Sequence, residues 1–313
     1  MNRIHFDNIT DYHRMLGKPD PQHPQLSVST VKADTSQGEL GCINSHSVIS
    51  ADFYAISLKN IISGDLVYGK TKYDYRSGTM LFLAPRQEFY ANGITIASEG
   101  KVILFHEDFI RNHAIYDLIK KCSFFAYAVN EALHLSAKEE AMIKDIFTSI
   151  EAEYHSNYDA FSRDIILAQI SALLTYADRF YHRQFLLRKE SCSSISEQFV
   201  LCFDELLATS EFNEIPAIID IADKLNMTSR YLTDALKVET GKSAKEWIQL
   251  RLIDKAKNLL LSRSDSVATI AYSLGFEYPQ YFARLFKKKV GLTPTQYRNQ
   301  PHYKLMTVKG YLL

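Results

Sequence analysis

Hydrophobic positions follow two different patterns along this chain. Between about residues 40 and 125, short apolar runs are separated by turn residues, a pattern typical of a small β-sandwich or barrel. From about residue 107 onward the apolar positions recur at helical spacing. Residues 1–30 are polar, and we expect an arm or a loosely ordered entry there. The predicted strands are 52–58, 79–83, 94–96 and 101–105.

Two long helices are predicted next, near 136–154 and 158–187. Ser136 followed by Glu139 forms a capping-box pattern at the start of the first. The second has a wide apolar stripe, which is compatible either with packing inside one chain or with a seam between two subunits. The polar run at 188–196 then predicts a linker. The stripe comprises Phe161, Ile165, Leu167, Ala168, Leu173, Leu174, Ala177, Phe180 and Tyr181.

The last hundred residues contain one short pattern twice, with an offset of 49 residues before a turn and 50 after it. Each copy reads as a short helix, a tight turn containing Asn226 or Gly275, and a second helix. This order is typical of helix-turn-helix units, which place the second helix in the major groove of DNA. The matching pairs are Ile221 with Ile270, Ala222 with Ala271, Leu236 with Phe286, Lys237 with Lys287 and Gly241 with Gly291.

Local residues predict where these helices begin and end. Thr228 is a suitable N-cap for the second helix of the first copy. Gly241 is a suitable C-cap for that helix. A connecting helix over Ala244–Ser262 would be about 28 Å long, which is near one turn of B-DNA. In the second copy, Gly275 supplies the positive φ that the turn needs, and Pro279 lies in a first helical turn, where proline is tolerated.

The formal net charge of zero hides a strong segregation of charge. From Lys224 to Lys304 the chain has 15 Lys or Arg and 6 Asp or Glu, whereas residues 1–223 have 20 basic and 30 acidic residues. A basic segment that coincides with the repeat favours a docking surface for a polyanion.

The second copy also resembles a known family. The chain carries Ile270-Ala271, Gly275-Phe276, Tyr281-Phe282-x-Arg284-x-Phe286-Lys287-Lys288 and Gly291-x-Thr293-Pro294-x-x-Tyr297-Arg298. This stretch resembles the AraC/XylS family of bacterial transcription regulators, and the match covers about 195–300. The resemblance implies an α+β protein in which a cupin-like β-barrel sensor and a helical dimerisation segment precede an all-α domain with two helix-turn-helix units.

The expected domains follow from these observations. Residues 1–187 form the sensor and dimerisation domain, with strands at about 40–125 and helices at about 136–187. Residues 188–196 form the linker, 197–300 the DNA-binding domain, and 301–313 a tail.

By this resemblance, the outward residues of both second helices would enter successive major grooves. Arg230 and Arg284 are the expected readers of guanine, and Gln280 could read adenine. Lys287, Lys288 and Arg298 are expected to contact phosphates. Asp234 either accepts from cytosine N4 or weakens binding by the first copy. The full expected set is Ser229, Arg230, Thr233, Asp234, Lys237, Tyr278, Gln280, Tyr281, Arg284, Lys287, Lys288 and Arg298.

The alternative function is a cupin-type metalloenzyme, or a metal-dependent sensor fused to a DNA-binding domain. The ten histidines lack the close His-x-His spacing of such sites, and His46, His106 and His113 are isolated. No catalytic motif, resident cofactor or metal is therefore expected.

We expect instead a DNA-binding regulator in the cytoplasm that acts as a homodimer on promoter DNA and, by the resemblance, with RNA polymerase. The four cysteines form no C-x-x-C pair, which favours reduced thiols. The lack of a metal motif favours either a small organic effector that binds the N-terminal half or no effector at all. The aromatic residues there are either an effector pocket or plain core, namely Phe53, Tyr54, Phe82, Phe89 and Tyr90.

Overall fold

The computed structural model describes residues 2–31, 47–59, 61–63, 78–90, 95–96, 100–128, 131–191, 194–209 and 214–299. The chain divides into two compact units, Met1–Cys192 and Ser193–Leu313. This boundary falls inside the predicted linker at 188–196. The linker is nevertheless short, because its first four residues still belong to the last helix of the first unit.

Strands make up the first half of unit one. They are β1 (Asn2–Phe6), β2 (Leu26–Val31), β3 (Ser47–Ala51), β4 (Phe53–Lys59), β5 (Ile61–Ser63), β6 (Thr79–Leu83), β7 (Phe89–Tyr90), β8 (Thr95–Ile96), β9 (Gly100–His106) and β10 (Leu133–His134).

Three sheets arise from these strands. Five strands form an antiparallel sheet in the order β10-β6-β4-β9-β2, and two smaller sheets have the orders β1-β3-β7 and β5-β8. In the large sheet Ile56 lies opposite both Phe82 and Ile103, and all three side chains are buried. The strands of the described ranges form separate sheets and do not close into the expected cupin barrel.

The prediction of a loosely ordered entry at residues 1–30 was wrong. β1 pairs with β3 in parallel, and β2 pairs with β9. Helix α1 (Ile9–Met15) lies between β1 and β2 in the chain. Phe6 and Ile9 belong to a buried cluster with Ile49, Phe53 and Leu104. These partners lie at least 40 residues away in sequence, so the local polar composition did not indicate them.

Helices complete unit one. They are α2 (Glu107–Ile110), α3 (Ala114–Lys121), a short 3-10 helix (Ser123–Ala126), α4 (Ala137–His155) and α5 (Ser162–Ser191). The predicted capping box is present, because Ser136 Oγ accepts from the Glu139 amide while Glu139 Oε2 accepts from the Ser136 amide. α4 packs against α5, and Ile143, Phe147 and Ile150 of α4 are fully buried.

The C-terminal half of α5 is fastened to the edge strand β10. Gln184 accepts from the His134 amide and donates to the Ala132 carbonyl, at 2.8 and 3.2 Å. Arg183 donates to the His134 carbonyl at 2.7 Å and pairs with Glu139. Burial, and then the positive charge of Arg183, lowers the pKa of His134. Because β10 pairs with β6, the end of α5 is tied directly to the large sheet.

Unit two is helical throughout its described residues. Its helices are α6 (Ile195–Thr209), α7 (Ile218–Lys224), α8 (Ser229–Thr240), α9 (Ala244–Ser262), α10 (Val267–Ser273), α11 (Pro279–Val290) and α12 (Pro294–Arg298).

The repeat read from the sequence is a structural repeat. α7 and α10 each have 7 residues, and α8 and α11 each have 12. At the two turns, Asn226 and Gly275 adopt φ values of 55° and 87°, as the predicted tight turns require. Four residues separate the helices of the first copy and five those of the second, so the inserted residue lies in the turn.

Substitution of Gly291 tests how much the left-handed C-cap of α11 contributes to the stability of unit two. Its φ is 83°, and a Cβ added there would have no atom within 4 Å. We therefore expect Gly291→Ala to lower the free energy of unfolding by about 1 kcal/mol through backbone strain alone. Urea unfolding followed by the fluorescence of Trp247, the single tryptophan of the chain, would measure it. Gly291→Asn should lose less, since Asn tolerates this conformation; equal losses would contradict the assignment to strain.

Candidate DNA-binding site

The second helix of each copy is held by one buried face. In α8 the side chains of Tyr231, Leu232, Ala235 and Leu236 are fully buried. In α11 Phe282 and Phe286 are fully buried, and their rings pack against each other and against Phe276 and Tyr297. The inward sides of these helices are therefore core, as predicted, and the opposite sides remain for contact with a partner.

Two outward faces result. We call Ser229, Arg230, Thr233, Asp234 and Lys237 the α8 face, and Tyr278, Gln280, Tyr281, Arg284, Lys287 and Lys288 the α11 face. Every member of the α11 face is exposed, as are Arg230 and Lys237 of the α8 face. Ser229, Thr233 and Asp234 are half-buried. The structure thus brings eleven of the twelve expected site residues onto two equivalent surfaces.

Local contacts fix several of these side chains. Thr233 Oγ1 donates to the Ser229 carbonyl at 2.8 Å, which leaves its hydroxyl as an acceptor toward the outside. The Tyr278 and Tyr281 rings meet edge to face, with centroids 5.6 Å apart. Such braced aromatic rings offer a rigid apolar surface, which suits contact with a thymine methyl group or a sugar.

The two faces differ in charge. α11 carries Arg284, Lys287, Lys288 and Lys289 and no acidic residue. In α8, by contrast, Arg230 and Lys237 are balanced by Asp234 and Glu239. The positive potential of the domain is therefore concentrated on the second copy, which favours it as the part that is attracted most strongly to phosphates.

The two expected guanine readers have different surroundings. Arg230 Nε lies 3.4 Å from Asp234 Oδ2, one helical turn away. Within the ranges that the structure describes, no carboxylate forms an ion pair with Arg284. The guanidinium group on the α11 face is consequently the freer of the two.

Arg298 does not resemble a surface phosphate contact. It is half-buried on α12, and its Nε donates to the Leu260 carbonyl at the end of α9, at 3.2 Å. The neighbouring Tyr297 is buried against Phe286. This geometry gives Arg298 a role in joining α12 to α9, which the sequence pattern did not indicate.

Arg251 and Lys255 lie on the polar side of α9, where helical periodicity alone predicts contact with solvent or phosphate. Instead they pair with Asp204 on α6, with Arg251 Nη2 at 2.5 Å from Oδ2 and Lys255 Nζ at 3.3 Å from Oδ1. All three side chains are about one third exposed. Two cations share one carboxylate here, so the cluster fastens α6 to the outer side of α9.

One group of possible metal ligands occurs among the described residues. His5, Asp7 and Asp52 place one ligand atom each within 4.8 Å of one another. Asp52 already accepts from Arg86 Nε at 2.9 Å, and this hydrogen bond lowers the pKa of the Asp52 carboxyl. Asp7 is 82% exposed, and His5 is engaged with Ser50. These contacts describe a surface ion-pair network.

The other described histidines and cysteines considered as metal ligands or reactive groups are either paired or buried. His106 accepts from the Asp108 amide and caps α2, and His113 lies beside Asp164. Burial raises the pKa of the Cys122 thiol to about 12 and raises that of Cys202. Thiols with raised pKa values are poor nucleophiles. His46, Cys42 and Cys192 lie outside the described residues.

The aromatic residues considered for an effector pocket are partly core. Phe53 and Phe82 are buried, and Phe82 packs against Phe124, Phe125 and Tyr181. Tyr54 is half-buried and stacks on Phe105. The side chains of Phe89 and Tyr90 lie outside the described set.

Comparisons with known proteins point to one family. A family model described as a helix-turn-helix domain matches residues 221–300. HTH-type transcriptional activator RhaS from Escherichia fergusonii is 35% identical over 141 residues, which are 42% of this chain and 50% of that protein. Residues 221–300 therefore form a DNA-binding domain of the AraC/XylS type.

Two further matches differ in how much of this chain they cover. YobQ from Bacillus subtilis, an uncharacterised HTH-type transcriptional regulator, is 25% identical over 253 residues, 78% of this chain and 95% of that protein. The solved C-terminal domain of the response regulator YesN from Fusobacterium nucleatum is 31% identical, covers 33% of this chain and 96% of that one, and has a TM-score of 0.30. The chain spans half or less of several relatives that it matches, including RhaS.

No described helix of this AraC/XylS-type chain combines the length and hydropathy needed to cross a membrane.

Removing the carboxylate shared by Arg251 and Lys255 should destabilise the AraC/XylS-type domain. We expect Asp204→Ala to lower the free energy of unfolding by about 1–3 kcal/mol, because two half-buried cations lose their partner. Trp247 fluorescence during urea unfolding gives the measurement. Asp254→Ala is the matched control, since Asp254 is 61% exposed and lies 3.8 Å from Lys257; it should change stability by less than about 0.5 kcal/mol. Equal effects of the two variants would contradict the assigned role of Asp204.

Proposed function

We propose that this protein is a sequence-specific transcription regulator that binds promoter DNA through both helix-turn-helix units. The observation that carries the proposal is the duplicated structure around α9, in which α8 and α11 are equal in length and bury equivalent faces. α9 has 19 residues, about 28 Å, so the two second helices can meet one side of the duplex about one turn apart. Names of the matched relatives support the same function.

Within this proposal the exposed side chains have separate roles. Arg284 reads a guanine through O6 and N7, and Gln280 reads a neighbouring adenine. Lys287 and Lys288 neutralise phosphates, which holds the domain on any DNA without selecting its sequence. Lys237 does the same for the first copy. Arg298 is left out of the contact set, because it is bonded to α9.

We also propose that the protein acts as a homodimer through one face of α5. The stripe predicted from the sequence divides into two faces in the structure. Leu167, Leu173, Leu174 and Ala177 are buried in unit one, whereas Phe161 and Ile165 are exposed, Phe161 by 70%. The α5 outer face, as we call it, consists of exposed residues only: Phe161, which immediately precedes α5, and Ile165, Ala168, Ala172, Thr175, Arg179, His182 and Leu186 within it.

The spacing of the α5 outer face is that of a coiled coil. Successive members lie four and three residues apart in strict alternation over 26 positions, which is the heptad rule for two helices that wrap around each other. Small residues occupy the middle and large apolar residues the ends. An antiparallel second copy therefore places Phe161 opposite Leu186, Ala168 opposite Arg179, and Ala172 opposite Thr175, so that large side chains meet small ones at the centre.

The N-terminal unit is proposed as the regulatory half, with a small organic effector rather than a metal or catalytic centre. The alignment with YobQ, which extends well beyond the DNA-binding domain, supports a two-part regulator. The hydrogen bonds between β10 and α5 supply a route by which a change in the large sheet reaches the end of α5. A cytoplasmic location and contact with RNA polymerase are also part of this proposal, and both follow from the family resemblance.

Base reading and phosphate binding can be separated by two variants. We expect Arg284→Ala to weaken binding to a preferred duplex by about 1–3 kcal/mol and to relax the preference at one base pair. Lys287→Ala should weaken binding to all sequences similarly and flatten the salt dependence. Fluorescence anisotropy at two salt concentrations measures both, with a duplex selected by the wild-type protein and its scrambled form. If wild-type protein binds the two duplexes equally, sequence-specific regulation is not its function.

The dimer can be tested at the centre of the α5 outer face. Ala172→Glu would bring a bulky charged side chain from each copy into the small-residue centre of the seam, and we expect sedimentation velocity to show a shift from dimer to monomer. Ala152→Glu, an exposed alanine on α4, is the matched control and should leave the dimer intact. A wild-type monomer at micromolar concentration, or an unchanged dimer in Ala172→Glu, would refute this seam.

A further inference from the structure

The two faces carry opposite charges at one equivalent position. With the offset of 50 residues that relates α8 to α11, Arg230 corresponds to Gln280 and Asp234 corresponds to Arg284. Lys237 and Lys287 correspond and have the same charge. The backbone repeat is thus maintained while the central reading position changes from a cation in the second copy to an anion in the first.

Helix stability does not account for the Arg230–Asp234 pair. An acidic residue four positions after a basic one is the weaker order for a helical ion pair, because it opposes the helix dipole. Asp is also a poor residue for a helix interior. Arg230 is 55% exposed and Asp234 is 23% exposed, and their 3.4 Å separation is longer than a normal hydrogen bond between charged groups, so the pair contributes little to folding.

The pair has a clear consequence for an approaching duplex. Asp234 engages Arg230 through Nε, and a guanidinium held there can still offer its two terminal amino groups to guanine O6 and N7. The Asp234 carboxylate, 23% exposed on the same face, loses solvation when DNA covers it. On a site with the matching base, the contact between Arg230 and guanine offsets this loss of solvation. On any other site, neither the loss of solvation nor the repulsion between Asp234 and the phosphates is offset, so binding is weaker.

We propose that Asp234 is a specificity-determining residue that acts through Arg230: it orients Arg230 toward one base pair and penalises all other sequences. This inference rests on the proposed function, since it concerns how the α8 face distinguishes DNA sequences. Asp234 is a positioning residue, and its main effect is expected on binding to wrong sequences rather than on binding to the right one. In this scheme the α11 face supplies most of the affinity and the α8 face adds discrimination.

The test uses the full-length protein, a duplex selected from random DNA by the wild-type protein, and its scrambled form. Asp234→Ala should bind the scrambled duplex more tightly and the selected duplex little differently, so that the affinity ratio between the two falls roughly tenfold. The steepness of the salt dependence on scrambled DNA should rise. The substitution replaces a poor helix former by a good one, so the variant is expected to fold.

Three further variants make the result specific. Asp254→Ala removes the same charge from α9 and should leave the ratio unchanged. Arg230→Ala should lower the ratio, and adding Asp234→Ala to it should produce no further loss of discrimination if Asp234 acts through Arg230. Asp234→Asn keeps the shape and should resemble Asp234→Ala.

The outcomes distinguish this inference from the proposed function. A wild-type protein that does not discriminate between the duplexes refutes sequence-specific binding itself. A wild-type protein that discriminates, with Asp234→Ala retaining the full ratio, refutes only the role of Asp234. An equal fall in Asp254→Ala would assign the effect to net charge and would also overturn the proposal.

Discussion

Both helix-turn-helix units depend on one shared element, the buried face of α9. Ile248, Leu252, Ala256 and Leu260 lie along that face and are almost fully buried. α8 packs on it from the first copy, and α10, α11 and α12 pack on it from the second. Short helices of 7 and 12 residues cannot bury enough apolar surface alone. Packing on a common rigid helix therefore stabilises both units and fixes the spacing of the α8 and α11 faces.

This shared scaffold separates folding from recognition. The same backbone geometry occurs in both copies because equivalent positions have equivalent roles. Leu232 corresponds to Phe282 and Leu236 to Phe286, all four buried, and Gly241 and Gly291 both form left-handed caps. Outward positions are less constrained, because their side chains are exposed or half-buried and do not belong to the core. Opposite charges at equivalent outward positions are thus compatible with one backbone geometry, and the two faces can differ in affinity and selectivity without any change of fold.

The sequence predicted unit two far better than unit one, and the reason is the range of the interactions. Helix ends at Thr228 and Gly241 follow from local capping, which is visible within four residues of sequence. β1 pairs instead with a strand 45 residues away, and its partner cannot be read from its own composition. Likewise, Arg251 and Lys255 looked like surface cations, because Asp204 lies 47 residues from Arg251.

The candidate site shows the same division. Periodicity identified the outward residues of α8 and α11 correctly as a surface, since burial of one helical face determines the other. It could not distinguish Arg230, which pairs with Asp234, from Arg284, because an ion pair depends on rotamers as well as on spacing. Nor could it find that Arg298 is bonded to the Leu260 carbonyl across 38 residues.

α5 poses a different problem, because its apolar residues serve two surfaces at once. From the sequence, the apolar residues of the core and of the proposed dimer seam form one broad stripe. The structure distinguishes them by burial, because Leu173 is fully buried and Ile165 is exposed. The inner face carries the side chains bonded to β10, and the outer face carries the heptad. α5 continues to Ser191, immediately before unit two. A change in the sheet and the proposed pairing of two copies would therefore act on the same continuous helix.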